Sequence, residues 1–238
     1  GLYESMFHRL FHAVDPSIRF ETFSVVEHQF PERHDVCDAW IVTGSRHGVY
    51  DNLPWMEGTK RLLRAAYAHE VPVIGVCFGH QILAQALGGR VEKFTGGWGC
   101  GVHSYEMQTP PAWMKDAGGS TFDLIAMHQD QVLELPLGAE TLAGSEFCQH
   151  AMIAYGGAER PRALSIQPHP EFTAALEHDL ISRRRGDVIP LDVADAGLAS
   201  LAQVTDPVRI AHWFVCFLRQ ALEQREANGR GEATCEPV

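Results

Sequence analysis

A chain of 238 residues with 45% hydrophobic and 21% charged side chains is long enough to bury a sizeable core in one large domain. Its net charge of −11 at pH 7 leaves no electrostatic footprint for nucleic acid and disfavours anionic membrane surfaces; the one basic cluster, Arg183 to Arg185, reads as a solvated surface. No apolar run approaches membrane-spanning length, and the six scattered cysteines, with no C-x-x-C pair and no metal-like spacing with histidine, read as reduced thiols of a cytoplasmic protein.

Residues 5–14 (SMFHRLFHAV) place Met6, Phe7, Leu10, Phe11 and Val14 at helical spacing, so the chain opens on an amphipathic helix. The short apolar run 39–44 (AWIVTG) suits a buried parallel strand. After a loop, a helix carries Leu62, Leu63, Ala66 and Tyr67 on one face, and 71–76 (VPVIGV) is a second buried strand. A helix follows with Phe78, Ile82, Leu83, Ala86 and Leu87 on one stripe, stopped by Gly88 and Gly89. Alternation of this kind predicts βαβ crossovers and a parallel sheet with helices on both faces. Beyond residue 100 five strands are expected, in 101–107, 121–127, 140–145, 150–156 and 162–167, with little room for helix between them. Residues 207–224 form a long amphipathic helix whose Ile210, Trp213, Phe214, Phe217, Leu218 and Leu222 stripe packs on the core. A polar tail from Ala227 is expected to fray.

One corner stands out. Gly75-Val76-Cys77-Phe78-Gly79 fits the G-x-nucleophile-x-G pattern at a strand-to-helix turn. Such a turn holds the nucleophile in a strained backbone conformation, and side chains two residues away on either side would collide. The helix then aims its free amides and positive dipole end at the sulfur, which favours the thiolate. The Phe78 N–H becomes an oxyanion donor. The ordinary alternative is a small buried hydrophobe.

A cysteine nucleophile needs a base and a group to orient that base. Thirteen histidines make a histidine alone uninformative, but SIQPHPEF places His169 and Glu171 two apart after an apolar strand. In extended backbone, which Pro170 favours at His169, both side chains project to one side. A polar strand-end turn is the alternative reading.

Together, GVCFGHQILAQALGG and the later HPE resemble the class I (triad) glutamine amidotransferases, closest to the stand-alone branch similar to the glutaminase domain of GMP synthetase. TGSRHGVYD and GGWGCGVHSYEM share the likeness, which covers the chain up to about residue 175. The resemblance implies a flavodoxin-like three-layer α/β sandwich with a mostly parallel sheet, a strand-rich second half and a C-terminal helix. Residues 1–238 would form one domain, with a core over about 1–180 and a helical extension over 181–238. It implies Cys77 as nucleophile, His169 as base and Glu171 as its orienting partner. Backbone amides of Phe78, Gly44 and Ser45 would form the oxyanion hole, and Gln81 and His128 would contact substrate. Ser45 stands where the family usually has a second glycine, and Pro168 where it has an aromatic. In the family an interior strand precedes the first helix, so roughly ten or more additional N-terminal residues are expected.

The activity implied is cysteine-dependent hydrolysis of the γ-glutamyl amide of glutamine or another small γ-glutamyl compound, through a thioester. No metal or organic cofactor is called for. Two other readings stay open: a glutaminase subunit that passes ammonia to a synthetase in trans, since the chain has no Walker-type motif of its own, and a non-catalytic regulatory homologue. Cys100, without a neighbouring base in sequence, is expected to be structural, and His103 and Tyr105 to have no special role.

Overall fold

Strand β2 (Val73–Val76) is buried along its whole length, as expected of a strand inside a parallel sheet covered on both faces. In the computed structural model, which describes residues 2–114 and 118–232, β2 pairs parallel with β1 (Trp40–Val42) and with β9 (Ala163–Ile166). Beyond β9 the sheet continues by antiparallel pairing through β8 (Met152–Tyr155), β7 (Ala139–Gly144), β4 (Gly99–Met107) and β5 (Thr121–His128). The order is β1-β2-β9-β8-β7-β4-β5. All five strands expected after residue 100 form, and they extend the same sheet. No strand among the described residues pairs with the outer side of β1.

Residue alternation assigns the two faces. Ile74, Val76, Leu164 and Ile166 point into a core shared with α1 (Leu2–His12) and α6 (Pro207–Glu232). There Phe11 stacks on Phe214, and Trp213 meets Phe122 edge-on. Each such aromatic is worth roughly 2–3 kcal/mol in buried apolar area alone. Val73 and Ala163 face the other way, toward α2 (Pro54–Ala68) and α3 (Phe78–Ala86), whose Leu63, Ile82 and Leu83 are fully buried. The helical stripes read from the sequence are therefore core stripes, and the expected three-layer α/β sandwich forms.

Two strands and two α-helices lie outside the sequence reading. β3 (Arg90–Lys93) and β6 (Asp130–Glu134) make a separate two-stranded antiparallel sheet. In β3 only Val91 is buried, so no alternation was there to read. α4 (Ala174–Arg184) and α5 (Leu191–Ser200) each bury two residues along their length, too few to print a helical stripe. They form with Cys100 and Ile189 a small satellite cluster over β4. Helix α6 continues to Glu232, past the point where fraying was expected, and residues 233–238 lie outside the described residues. No helix among the described residues is long and apolar enough to cross a membrane.

Candidate active site

The corner after β2 has the conformation its glycines require. Cys77 caps α3 with φ 55° and ψ −106°, a positive φ that side-chain-bearing residues rarely adopt. Its N–H is tied to the Ile166 carbonyl at 2.9 Å, so the sheet itself enforces the turn. A Cβ on Gly75 would sit 2.5 Å from the Gly79 carbonyl oxygen, and one on Gly79 would run into the Val42 carbonyl. Both positions therefore admit only glycine. The first amides of α3, those of Phe78, Gly79 and His80, are the ones a helix leaves without an internal acceptor, and they open toward the corner.

β9 runs beside β2 and delivers the second half of the site. His169 is anchored by its own N–H to the Ile125 carbonyl at 2.8 Å, and a turn begins at Pro170. His169 itself is extended, in a β-bridge with Ile125, and across the turn that follows the two side chains still meet. His169 Nδ1 donates to Glu171 Oε1 at 2.7 Å, with both residues buried. Phe172 stacks on the imidazole with ring centroids 3.8 Å apart and fixes its plane. Burial alone would push His169 down; Cys77 and Glu171 beside it outweigh burial and hold the imidazolium well above its ordinary range. The imidazole thus lies between thiol and carboxylate and interacts with both.

The loop after β1, with Gly44 and Ser45, lies across from this pair. A Cβ on Gly44 would be 3.2 Å from His169 Cε1 and 2.5 Å from the Tyr3 hydroxyl, so the loop packs directly on the imidazole. Ser45 Oγ accepts the His47 N–H at 3.2 Å and shapes the loop from within. The ring of Phe78 packs against Trp55, leaving its backbone at the corner.

Below the corner lies a neutral polar layer. Ser165 joins His80 Nδ1 at 2.7 Å and the Tyr155 hydroxyl at 3.0 Å, and burial pushes His80 down to about 3. Gln81 spends its amide nitrogen on the Asp130 carbonyl and on Gln167 Oε1, so it ties α3 to β6 and to the base segment. His128, buried and pushed down to about 3 by burial and then by His103, leaves Nε2 without a partner among the described residues. It is close enough to His169 to feel its charge.

Tyr3, Phe172 and Glu177 were not singled out in the sequence. Tyr3 shares the α1 stripe with Met6, Phe7 and Leu10, so extending the periodicity by one turn would have found it. Glu177 lies on α4, fully buried, accepting the Gly101 N–H at 3.2 Å. Cys100 packs against Gly197, and its thiol is pushed up to about 11 by burial and by Glu177, as befits a structural residue. No cluster of metal-ligating side chains occurs among the described residues. A shallow groove of about 460 Å³ lined by Phe30, Arg33 and Arg61 contains none of the site residues.

Residues 3–185 match the family model for glutamine amidotransferase class-I. The chain is 30% identical over 193 residues to gamma-glutamyl peptidase 5 of Arabidopsis thaliana, covering 79% of this chain and 74% of that protein. It is 32% identical over 132 residues to a glutamine-hydrolysing GMP synthase of Shewanella sediminis, covering 52% of this chain and 24% of that one. The crystal structure of a glutamine amidotransferase from Methylobacillus flagellatus shares the fold, with a TM-score of 0.70 at 22% identity over 90% of this chain and 87% of that chain. By its sequence and by the sandwich that carries Cys77, His169 and Glu171 to one corner, the chain belongs to the class I glutamine amidotransferase family and is a hydrolase of that type.

Proposed function

We propose that the protein hydrolyses the γ-glutamyl amide bond of glutamine or of a γ-glutamyl peptide or conjugate, with Cys77 as nucleophile. The observation that carries this reading is the buried His169–Glu171 pair set against Cys77 at a strained strand-to-helix corner. The Cys77 sulfur adds to the γ-carbonyl carbon, and the oxyanion is met by backbone amides of Phe78 and the Gly44–Ser45 loop. His169 gives its proton to the leaving nitrogen as the C–N bond breaks, leaving a γ-glutamyl thioester. Water then adds to the thioester and gives a proton to His169. The C–S bond breaks, and glutamate or its α-substituted form departs. Glu171 holds the imidazole so that Nδ1 keeps its proton and Nε2 faces the sulfur.

Similarity to gamma-glutamyl peptidase 5 over most of both chains supports a free-standing hydrolase. Similarity to the GMP synthase supports a second reading, in which the ammonia released passes to a separate synthetase. Release of glutamate by the purified chain, from L-glutamine and from a panel of γ-glutamyl dipeptides, separates these readings. Turnover that vanishes in Cys77→Ala is the expected result. A preference for dipeptides identifies a peptidase, whereas turnover of glutamine that rises only with an added synthetase identifies a subunit. A folded chain inert toward every substrate, with or without a synthetase, would refute the catalytic reading.

A further inference from the structure

The base pair of the site has a third member. The Tyr3 hydroxyl donates to Glu171 Oε1 at 3.1 Å, the same oxygen that accepts His169 Nδ1 at 2.7 Å. Oε2 of that carboxylate is buried and has no hydrogen-bond partner among the described residues. Two donors therefore converge on one oxygen and select the carboxylate's orientation between them. The phenol ring is held edge-on to Phe172, the residue stacked on His169, and packs on Phe7. The same phenol oxygen lies against Gly44, where a Cβ would come within 2.5 Å of it, so Tyr3 also packs the loop after β1 onto the His169–Glu171 pair. Packing alone would need only the ring. The hydroxyl is an added polar atom in a partly buried place, and such an atom is retained at a cost unless its hydrogen bonds are made.

We propose that Tyr3 is a positioning residue of the hydrolysis described above: its hydroxyl clamps Glu171 Oε1 against His169 Nδ1 and fixes the distance from Glu171 to the Gly44 loop. This inference rests on the catalytic role proposed for the Cys77–His169–Glu171 set. Burial, then Glu171 and Cys77, push the phenol far above its ordinary range, so it stays a proton donor throughout turnover. A donor shared with the imidazole takes up part of the carboxylate's charge. Without it that charge acts on His169 alone, and the imidazolium becomes harder to deprotonate. The other groups facing His169 are Cys77 from the head of α3, His128 at the end of β5 and Glu177 from α4, and none is altered by removing the Tyr3 hydroxyl.

Tyr3→Phe keeps the ring and deletes the hydroxyl. Two readouts are taken across pH on protein shown by circular dichroism to be folded. One is kcat/KM for the best γ-glutamyl substrate. The other is the rate at which iodoacetamide alkylates Cys77, followed by mass spectrometry of its peptide. The variant is expected to lose roughly tenfold in kcat/KM, in kcat rather than KM. The limb reporting His169 moves to higher pH in both profiles. In a Glu171→Ala background, which removes the shared acceptor altogether, the same substitution should cost nothing further, because its route to the imidazole is gone. Superimposable alkylation profiles, or an equal loss in the Glu171→Ala background, would overturn the assignment. If the wild type turns over no γ-glutamyl compound, the proposed activity fails on its own, and the alkylation profiles still decide the role of Tyr3.

Discussion

Glu177→Gln tests whether the carboxyl next to the site is held neutral by the fold. The side chain is fully buried on α4, with Oε1 on the Gly101 N–H and Oε2 without a partner among the described residues. Burial is the main cause that pushes its carboxyl up from 4.5 to about 7, against opposing contributions from the Gly101 N–H, His169 and Arg184. The folded group thus holds its proton more tightly than the unfolded one. Folding takes up a proton as pH rises through that window, and the wild type loses stability between pH 4.5 and about 7. A rise of that size corresponds to on the order of 3 kcal/mol at pH 8, absent at pH 4. The amide introduced by Glu177→Gln keeps an acceptor for the Gly101 N–H and never ionises. The variant should match the wild type near pH 4 and exceed it by about 3 kcal/mol at pH 8, roughly 6–12 °C in Tm for a chain of this size. Urea unfolding at a series of pH values measures the difference directly. Parallel stability–pH curves for the two proteins would refute the argument.

Three further outcomes follow from the corner and the base. Cys77→Gly relieves a positive φ whose strain is of order 1–3 kcal/mol, so it should be more stable to urea than Cys77→Ala while both lose turnover by at least about 10³-fold. Gly79→Ala drives a Cβ into the Val42 carbonyl and should cost at least about 1–3 kcal/mol with loss of turnover, measurable by the same unfolding assay; a neutral effect would contradict the corner geometry. Glu171→Gln removes the charge that helps hold the imidazolium, so the His169 limb of the pH–rate profile should move to lower pH, opposite in sign to Tyr3→Phe.

Long amphipathic stripes and continuous apolar strands were legible because many residues repeat one instruction. Phe7, Leu10 and Phe11 on α1 and Ile210, Trp213, Phe214 and Phe217 on α6 are spaced for a single face, and each is buried there. The corner was legible because Gly75 and Gly79 flank Cys77 at positions where any side chain meets backbone. α4 and α5 were not, because two buried residues apiece leave no period, and β3 because Val91 alone faces inward. The site was legible where its parts are close in sequence, as His169 and Glu171 are. Tyr3 reaches Glu171 across 168 positions, a pairing that only the packing of α1 against the loop after β1 and the turn after His169 creates. Local spacing holds no trace of such a contact.

A thioester on Cys77 is the covalent step on which the proposed hydrolysis stands, and acid quenching during turnover of a γ-glutamyl substrate, followed by mass spectrometry of the intact chain, would trap it. One added γ-glutamyl acyl group is expected, localised to the peptide containing Cys77, absent in Cys77→Ala and accumulating when the thioester is slow to meet water. Turnover with no acyl group on Cys77 under any quench, or with the acyl group on another cysteine, would contradict it.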